Sequence, residues 1–327
     1  MTDPTPQTAE LVRAGGDHIP GLLKRVEAQL RDEAAAWGEP VGPHAGETIS
    51  AGGKRLRPLL LLLVAGEPAE EAQADRLVRA AAAIELIHSA TLVHDDVLDN
   101  ADLRRGRPTV FATAGPEMAT STGDLLFARA FTLLTEIDDP LSVRELSEAC
   151  SALARGELLQ REDAWNMSVT VDRYLERCRL KTAALFEVAC AIGAEAGGLD
   201  PEPMREFGRR IGLAFQLLDD VLDVSGPPER TGKPRGTDLL DGTVTLPLIL
   251  ASQADPQLAG ADLRSLAGAE AAAEVCDRIA AAGALEESRA RALEMVSEAK
   301  RLLPEGLDGE RRGSLELVAD GVVARYS

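Results

Sequence analysis

The chain has 327 residues, enough for one large domain or two, and a formal net charge of −19. This charge argues against a nucleic-acid partner, because a phosphate backbone demands a basic surface, and the 3% of aromatic residues offers no platform for stacked bases. The four cysteines are scattered without a CxxC pair, which is typical of reduced thiols in a cytosolic protein.

The chain in order predicts helices joined by turns. The sequence predicts disorder over 1–8 and a loop over 44–53, and the glycine- and proline-rich 226–242 is predicted to be the one long loop. The predicted helices cover 9–37, 58–65, a long segment ending at 99, 116–135, 141–163, 171–196, 203–224, 245–252, 269–282, 285–303 and 313–326. No strand is predicted, since no run of alternating β-branched residues lies between turn signals. The fold class is therefore all-α, and 1–327 is expected to form a single domain because no linker divides it.

The N-terminal residues MTDPTPQTAE lack the basic start and apolar core of a signal peptide. The longest apolar run, Leu59 to Ala65, is too short to cross a bilayer, which takes about 20 apolar residues. We therefore expect a cytoplasmic protein without a transmembrane segment.

An acidic motif ends the long predicted helix. Asp95 and Asp99 are four residues apart, so their carboxylates share one helix face. Like charges at that spacing favour a cation between them, and hard oxygen ligands suit Mg²⁺, which shares its shell with substrate phosphates. The pentapeptide DDVLD returns at 219–223, again after an apolar run, which puts Asp219 where Asp95 stands in the first motif. The alternative, two solvated helix ends, does not explain the repetition.

Basic residues cluster at few places in this acidic chain. GGKRLRP at 52–58 places Lys54 and Arg57 three apart at a predicted helix start, which favours an anion site. It lacks the GxxxxGK[ST] pattern of a nucleotide P-loop, and the alternative is a solubilising basic patch. A second basic run, including Arg104 and Arg105, directly follows the first acidic motif.

Single polar residues extend these clusters. His88 lies two turns before Asp95 on the same face, although a lone helical histidine is more often a core residue. The pair Lys181-Thr182 interrupts an apolar helix, and Gln216 precedes Asp219 by three residues. Lys233 lies in the long loop, where a cation can close over phosphate. Together the clusters predict a cavity for a diphosphate head and a hydrocarbon tail, with magnesium neutralising a leaving diphosphate and water excluded from a carbocation.

In these motifs the chain resembles the trans-isoprenyl diphosphate (polyprenyl) synthases over nearly its whole length. The matching segments are GGKRLRP, IHSATLVHDDVLDNADLRRGRPT, GELLQ, Lys181-Thr182, FQLLDDVLD and GKPRGTDLLDGTVTLPL, in the order in which that family carries them. The resemblance implies an all-α isoprenoid synthase bundle, usually a homodimer.

The resemblance also implies a role for each matching residue. Asp95 and Asp99 would hold two Mg²⁺ ions and Asp219 a third. The allylic diphosphate would be bound by Arg104, Lys181 and Lys233, and isopentenyl diphosphate by Lys54, Arg57, His88 and Arg105. Thr182 and Gln216 would lie near the developing allylic cation. One departure is Thr243, where family members often carry a lysine, which puts one further contact to the allylic diphosphate in doubt.

Product length and rival functions follow from the same motifs. The resemblance implies that family members with short products place an aromatic residue five or four positions before Asp95, or insert two residues within the acidic motif. Here Ala90 and Thr91 are small and nothing is inserted, so the product is expected to exceed C20, with the chain stopped near Ala83 and Ile87 or across at Phe127 and Phe131. The alternative products are geranylgeranyl and farnesyl diphosphate. The rival functions are a terpene cyclase, which needs no GGKRLRP site, and a non-catalytic synthase subunit, which typically loses one or both aspartate motifs.

Overall fold

A computed structural model describes residues 12–53, 55–104, 106–137, 139–226 and 234–324. The predicted disorder over 1–8 and three predicted site residues, Lys54, Arg105 and Lys233, therefore lie outside the described residues.

Helices make up nearly all of the regular structure in these residues, which confirms the all-α prediction. In chain order the elements are α1 (His18–Ala35), α2 (Val41–Ser50), α3 (Leu56–Ala65), α4 (Glu71–Leu98), β1 (Leu103–Arg104), β2 (Arg107–Pro108), α5 (Val110–Thr135), α6 (Pro140–Asp163), α7 (Val171–Cys178), a π-helical segment (Arg179–Ala183), α8 (Ala184–Ala196), α9 (Pro201–Ser225), α10 (Thr237–Leu240), α11 (Leu246–Ala254), α12 (Pro256–Ala259), a 3₁₀ turn (Leu263–Ser265), α13 (Ala269–Ala281), α14 (Ala284–Leu302) and α15 (Gly309–Ala324).

The chain forms two compact units. The first comprises Met1–Cys150, Leu185–Arg205 and Leu303–Val318, and the second comprises Ser151–Ala184, Glu206–Leu302 and Ala319–Ser327. The assignment of 1–327 to a single domain stays a prediction.

The core of the first unit is built around α4 and α3. Helix α4 packs against α1, α3 and α5, and its stretch from Ala80 to Ile87 is fully buried. Helix α3 is apolar on all sides and buried from Leu59 to Ala65, as expected of a core helix. Helix α8 approaches it closely at Gly193, where an added Cβ would lie 2.5 Å from the Leu61 carbonyl oxygen.

In the second unit, α11 packs against α7, α13 and α14. Helix α11 is buried from Leu246 to Ala251, and α9 adds Phe207 and Leu217, both fully buried. The alternation of buried and accessible positions along α9 leaves Gln216 and Asp219 half-buried, while Asp220 is buried.

Three predictions about local structure are wrong, and the first concerns the predicted long loop over 226–242, which contains the short helix α10 (Thr237–Leu240). The predicted loop over 44–53 is helix α2, because Ala45 and Ile49 are four apart and bury one face, while Pro43 stands in the first turn, where its missing N–H costs little. Two short antiparallel strands also exist: Leu103 pairs with Pro108 and Arg104 with Arg107.

Helix α4 is long and apolar enough to cross a membrane by length and composition alone. Of its most apolar window, 72% is buried inside the protein, as in the core helix of a globular fold.

Candidate active site

The first acidic motif sits where α4 stops. Asp99 caps the helix with near-helical backbone angles, so Asp95 and Asp99 lie on one face as the spacing predicts. Asn100 then takes a left-handed conformation with a φ of 50°. The amide of Asn100 donates to the Val97 carbonyl and that of Ala101 to the Asp96 carbonyl. This is the Schellman arrangement, and it turns the chain sharply away from the helix.

The turn leads into the β1–β2 hairpin, which folds back on the motif. Arg104 Nε donates to Asp96 Oδ1 over 2.7 Å, so the buried middle carboxylate is neutralised within the protein. Burial raises the pKa of Asp96, although the Arg104 guanidinium acts against this rise. Thr109 closes the hairpin by donating its hydroxyl to the Ala101 carbonyl, and the same oxygen accepts from the Ala112 amide at the start of α5.

The other predicted metal ligands are Asp95 and Asp99 in the first acidic motif and Asp219 in the second. Asp95 and Asp219 are half-buried and Asp99 is exposed, so their carboxylate oxygens can reach a ligand. Within the described residues no group of three or more His, Cys, Asp or Glu side chains converges on one point. The fit to Mg²⁺ rests on donor chemistry alone, since this ion binds one or two carboxylates and completes its shell with water and substrate phosphate oxygens.

The basic motif is held in a strained backbone. Arg55 has a φ of 46°, a conformation that costs an L-residue about 1 kcal/mol or more. Its guanidinium donates to Glu27 over 2.6 Å, to Glu85 over 2.7 Å and to the Ile49 carbonyl over 2.9 Å, which fixes this conformation. Burial lowers the pKa of Arg55, but the charges of Glu85 and Glu27 outweigh burial and raise it.

Two residues later, Arg57 is half-buried at the start of α3. Its guanidinium carbon lies 4.6 Å from the ring centroid of buried Phe186, a cation–π contact that limits the orientations of the side chain. His88 is half-buried on the α4 face that carries Asp95, as the spacing predicts.

In the second unit, Lys181 and Thr182 stand in the π-helical segment. Such segments are rare and are frequent at functional sites. Gly156 permits the close approach of α6, because an added Cβ would lie 2.5 Å from the Lys181 amide nitrogen. Lys181 forms an ion pair with Glu157. Burial raises the pKa of Glu157, but the charges and hydrogen bonds of Lys181 and Arg161 outweigh burial and lower it.

The second acidic motif is joined to Thr182 by hydrogen bonds. Thr182 Oγ1 lies 2.7 Å from Gln216 Oε1, and Gln216 Nε2 lies 2.7 Å from Asp220 Oδ1. The buried Tyr174 hydroxyl donates to Asp220 Oδ2 over 2.6 Å. Burial raises the pKa of Asp220, and the hydrogen bonds from Tyr174 and Gln216 act against this rise. The structure therefore brings together Thr182 and Gln216, the two residues that the family resemblance implies would lie near the allylic cation.

The predicted site residues divide between the two units. The first unit contains Arg57, His88, Asp95, Asp99 and Arg104, and the second contains Lys181, Thr182, Gln216 and Asp219. Thr243 is half-buried, and its amide donates to the Asp238 carbonyl over 2.8 Å.

Sequence reasoning missed the residues that support these groups. Glu85, Phe186 and Tyr174 are buried and contact site residues or their neighbours from far along the chain. No local pattern marks them. Glu157 lay within the matching segment GELLQ, and Arg55, Asp96 and Asp220 lay within GGKRLRP and the two DDVLD segments, but the resemblance assigned none of them a role.

A cavity of about 370 Å³ opens between α1 and α2. Its lining includes Arg31, Gly38 and Ile49, and no predicted site residue among those that the structure describes. The cavity nevertheless borders the basic motif, because the carbonyl of Ile49 accepts from Arg55.

The sequence and the structure were compared with known proteins, and the matches are to polyprenyl and related diphosphate synthases. The sequence profile of the polyprenyl synthetase family matches residues 43–281. Over 233 residues the chain is 42% identical to heptaprenyl diphosphate synthase component 2 of Geobacillus stearothermophilus, covering 70% of this chain and 72% of that protein. Over 287 residues it is 35% identical to the geranylgeranyl diphosphate synthase of Methanosarcina mazei, covering 85% and 87%. The crystal structure of heptaprenyl diphosphate synthase from Staphylococcus aureus matches with a TM-score of 0.88 at 30% identity, over 94% of this chain and 98% of that one.

Proposed function

We infer that this chain, which belongs to the polyprenyl synthetase family, condenses isopentenyl diphosphate with an allylic diphosphate to give an all-trans polyprenyl diphosphate longer than C20. Family membership makes it a prenyltransferase. The dependence on Mg²⁺ and the product length are the finer parts of the proposal.

The observation that carries the proposal is shared by the two DDVLD motifs. In each motif the second aspartate is buried and hydrogen-bonded within the protein, by Arg104 or by Tyr174 and Gln216. The first aspartate, Asp95 or Asp219, stays accessible. The second aspartate of each motif thus supports the local structure, while the first, at the more exposed position, is the proposed metal ligand.

In the proposed reaction, the carbon–oxygen bond of the allylic diphosphate breaks and diphosphate leaves. The double bond of isopentenyl diphosphate then forms the new carbon–carbon bond, and the departing diphosphate takes the proton that is lost. Asp95 and Asp99 would hold two Mg²⁺ ions and Asp219 a third, which would supply positive charge beside the leaving diphosphate.

The side chains of this protein bind and orient the two substrates. Arg57, Lys54, His88 and Arg105 are proposed to hold isopentenyl diphosphate, and Arg104, Lys181 and Lys233 the allylic diphosphate. The Phe186 contact restricts Arg57 before substrate arrives, which reduces the ordering cost of binding. Thr182 and Gln216 are proposed to face the allylic cation.

The proposed product length rests on the α4 face that carries Asp95. Thr91, one turn before Asp95, is half-buried and small, so an aromatic barrier is absent from that position. Ala90, Ile87 and Ala83 are fully buried, which makes Thr91 the better position for a test. A relative at 42% identity is a heptaprenyl synthase component. The alternative product, geranylgeranyl diphosphate, is supported by the relative at 35%.

The test supplies labelled isopentenyl diphosphate, Mg²⁺ and a geranyl or farnesyl primer, and resolves products by chain length. We expect products beyond C20, and shorter ones from Thr91→Phe. Thr48→Phe is the matched control, because Thr48 is also half-buried and its hydroxyl donates to a carbonyl of its own helix, as that of Thr91 does.

A wild-type product at C15 or C20 would overturn the proposed product length. Consumption of the allylic diphosphate without isopentenyl diphosphate would indicate a cyclase, and turnover only after a second protein is added would indicate a heteromeric subunit.

A further inference from the structure

The hydrogen-bond chain in the second unit has a defined direction. The Gln216 carbonyl oxygen accepts only, so Thr182 must donate its hydroxyl hydrogen to it. The Gln216 amide group donates to Asp220. Asp220 also accepts from the Tyr174 hydroxyl, so its two oxygens are each committed to one donor. Every donor along this chain therefore points toward Asp220.

The direction of these hydrogen bonds determines whether the Thr182 hydroxyl presents its lone pairs or its hydrogen to a ligand. Because its hydrogen is committed to Gln216, the lone pairs of Thr182 Oγ1 are left for a group on its accessible side. A flipped Gln216 amide would present its NH₂ group to Thr182, and the hydroxyl hydrogen would turn outward. The outward hydrogen would repel a cation, whereas the lone pairs attract it.

Accessibility changes along the chain of hydrogen bonds. Thr182 and Gln216 are half-buried, Asp220 is buried and Tyr174 is fully buried. Tyr174 therefore acts only through its partners and does not touch a ligand. The segment that carries Thr182 also packs against α6, since Gly156 lets α6 contact the backbone of Lys181.

We propose that Tyr174 and Asp220 are positioning residues that lock the Gln216 amide and thereby aim the Thr182 oxygen at the allylic cation. This inference rests on the proposed function and deepens it. It predicts an effect of Tyr174 on the rate of the chemical step, with no effect on the binding of either diphosphate.

The test is Tyr174→Phe, which removes one hydroxyl and keeps the ring. We expect kcat to fall about tenfold or more, the loss associated with a hydrogen bond to a charged acceptor, while both KM values stay within about twofold. Ser288→Ala is the matched control, because it removes another fully buried hydroxyl from the same unit, one that bonds only its own helix, and should leave kcat unchanged.

A double-mutant cycle with Thr182→Val separates positioning from a general structural role. If Tyr174 acts through Thr182, Tyr174→Phe should cost almost nothing further once Thr182 has lost its hydroxyl. The inference would be overturned if Tyr174→Phe left kcat unchanged, or if its reduction of kcat multiplied with the reduction caused by Thr182→Val. The proposed function would still stand in that case, provided the wild-type protein condenses the two diphosphates. A wild-type protein that does not condense the two diphosphates would overturn both.

Discussion

At the scale of single residues, Asp95 and Asp99 carry like charges one helical turn apart, and such charges repel. Asp95→Ala, Asp99→Ala and Asp219→Ala should each reduce turnover by orders of magnitude, because each is a proposed metal ligand. Their free energy of unfolding without metal should hold or rise, since functional carboxylates are kept at some cost in stability. Turnover assays and thermal unfolding in the presence of a chelator measure the two effects.

Asp75→Ala serves as the control, because Asp75 is an exposed surface residue paired with Arg25. It should change neither turnover nor stability by much. Near-normal turnover without Mg²⁺, or in any of the three ligand variants, would contradict the metal assignment.

Arg55 is a second residue whose removal has a definite cost. Arg55→Gln leaves Glu85, whose side chain is only 4% exposed, without its charged partner. Breaking a buried ion pair in this way costs about 3 kcal/mol or more. The expected result is a correspondingly lower free energy of unfolding in a denaturant titration.

Arg25→Gln is the matched control for Arg55→Gln, because Arg25 also pairs with two acids but at the surface. It should cost about 1 kcal/mol or less. Equal effects of the two variants would show that the Glu85 contact is not the main support of the basic motif.

At the scale of helices, close packing depends on glycines at particular points. Gly193→Ala would place a Cβ 2.5 Å from the Leu61 carbonyl oxygen and push α8 away from α3, so we expect a loss of about 1–3 kcal/mol. Gly21 lies within α1, where an added Cβ would meet no atom within 4 Å, and Gly21→Ala should stabilise by up to about 1 kcal/mol. Chemical denaturation of both variants measures the difference, and a stabilising Gly193→Ala would contradict this packing.

The helices and the two acidic motifs could be predicted from the sequence, because both depend on spacing within a few turns. Helix α2 was missed since its glycines and prolines outweigh a short apolar face. The π-helical segment has no signal of its own, because it depends on how α6 approaches at Gly156. The contact of Tyr174 with Asp220 joins residues 46 apart, and only the folded structure supplies such pairs.

At the scale of the whole molecule, we predict a homodimer whose association depends on salt. Each copy carries a net charge of −19, so two copies repel at low ionic strength and associate more tightly as salt screens that charge. Light scattering across a range of protein and salt concentrations measures the mass. A monomer at all concentrations that becomes active only with a second protein would contradict the prediction.

The first unit is built from segments that are far apart in the chain, and this limits when it can fold during synthesis. The buried Ser314 hydroxyl in α15 donates to the Ala14 carbonyl, 300 residues earlier in the chain. Because the unit includes Leu303–Val318, it stays incomplete until the ribosome has made that segment. Translation that stalls before α15 should therefore leave an opened first unit for chaperones to hold, although most of its residues have already emerged.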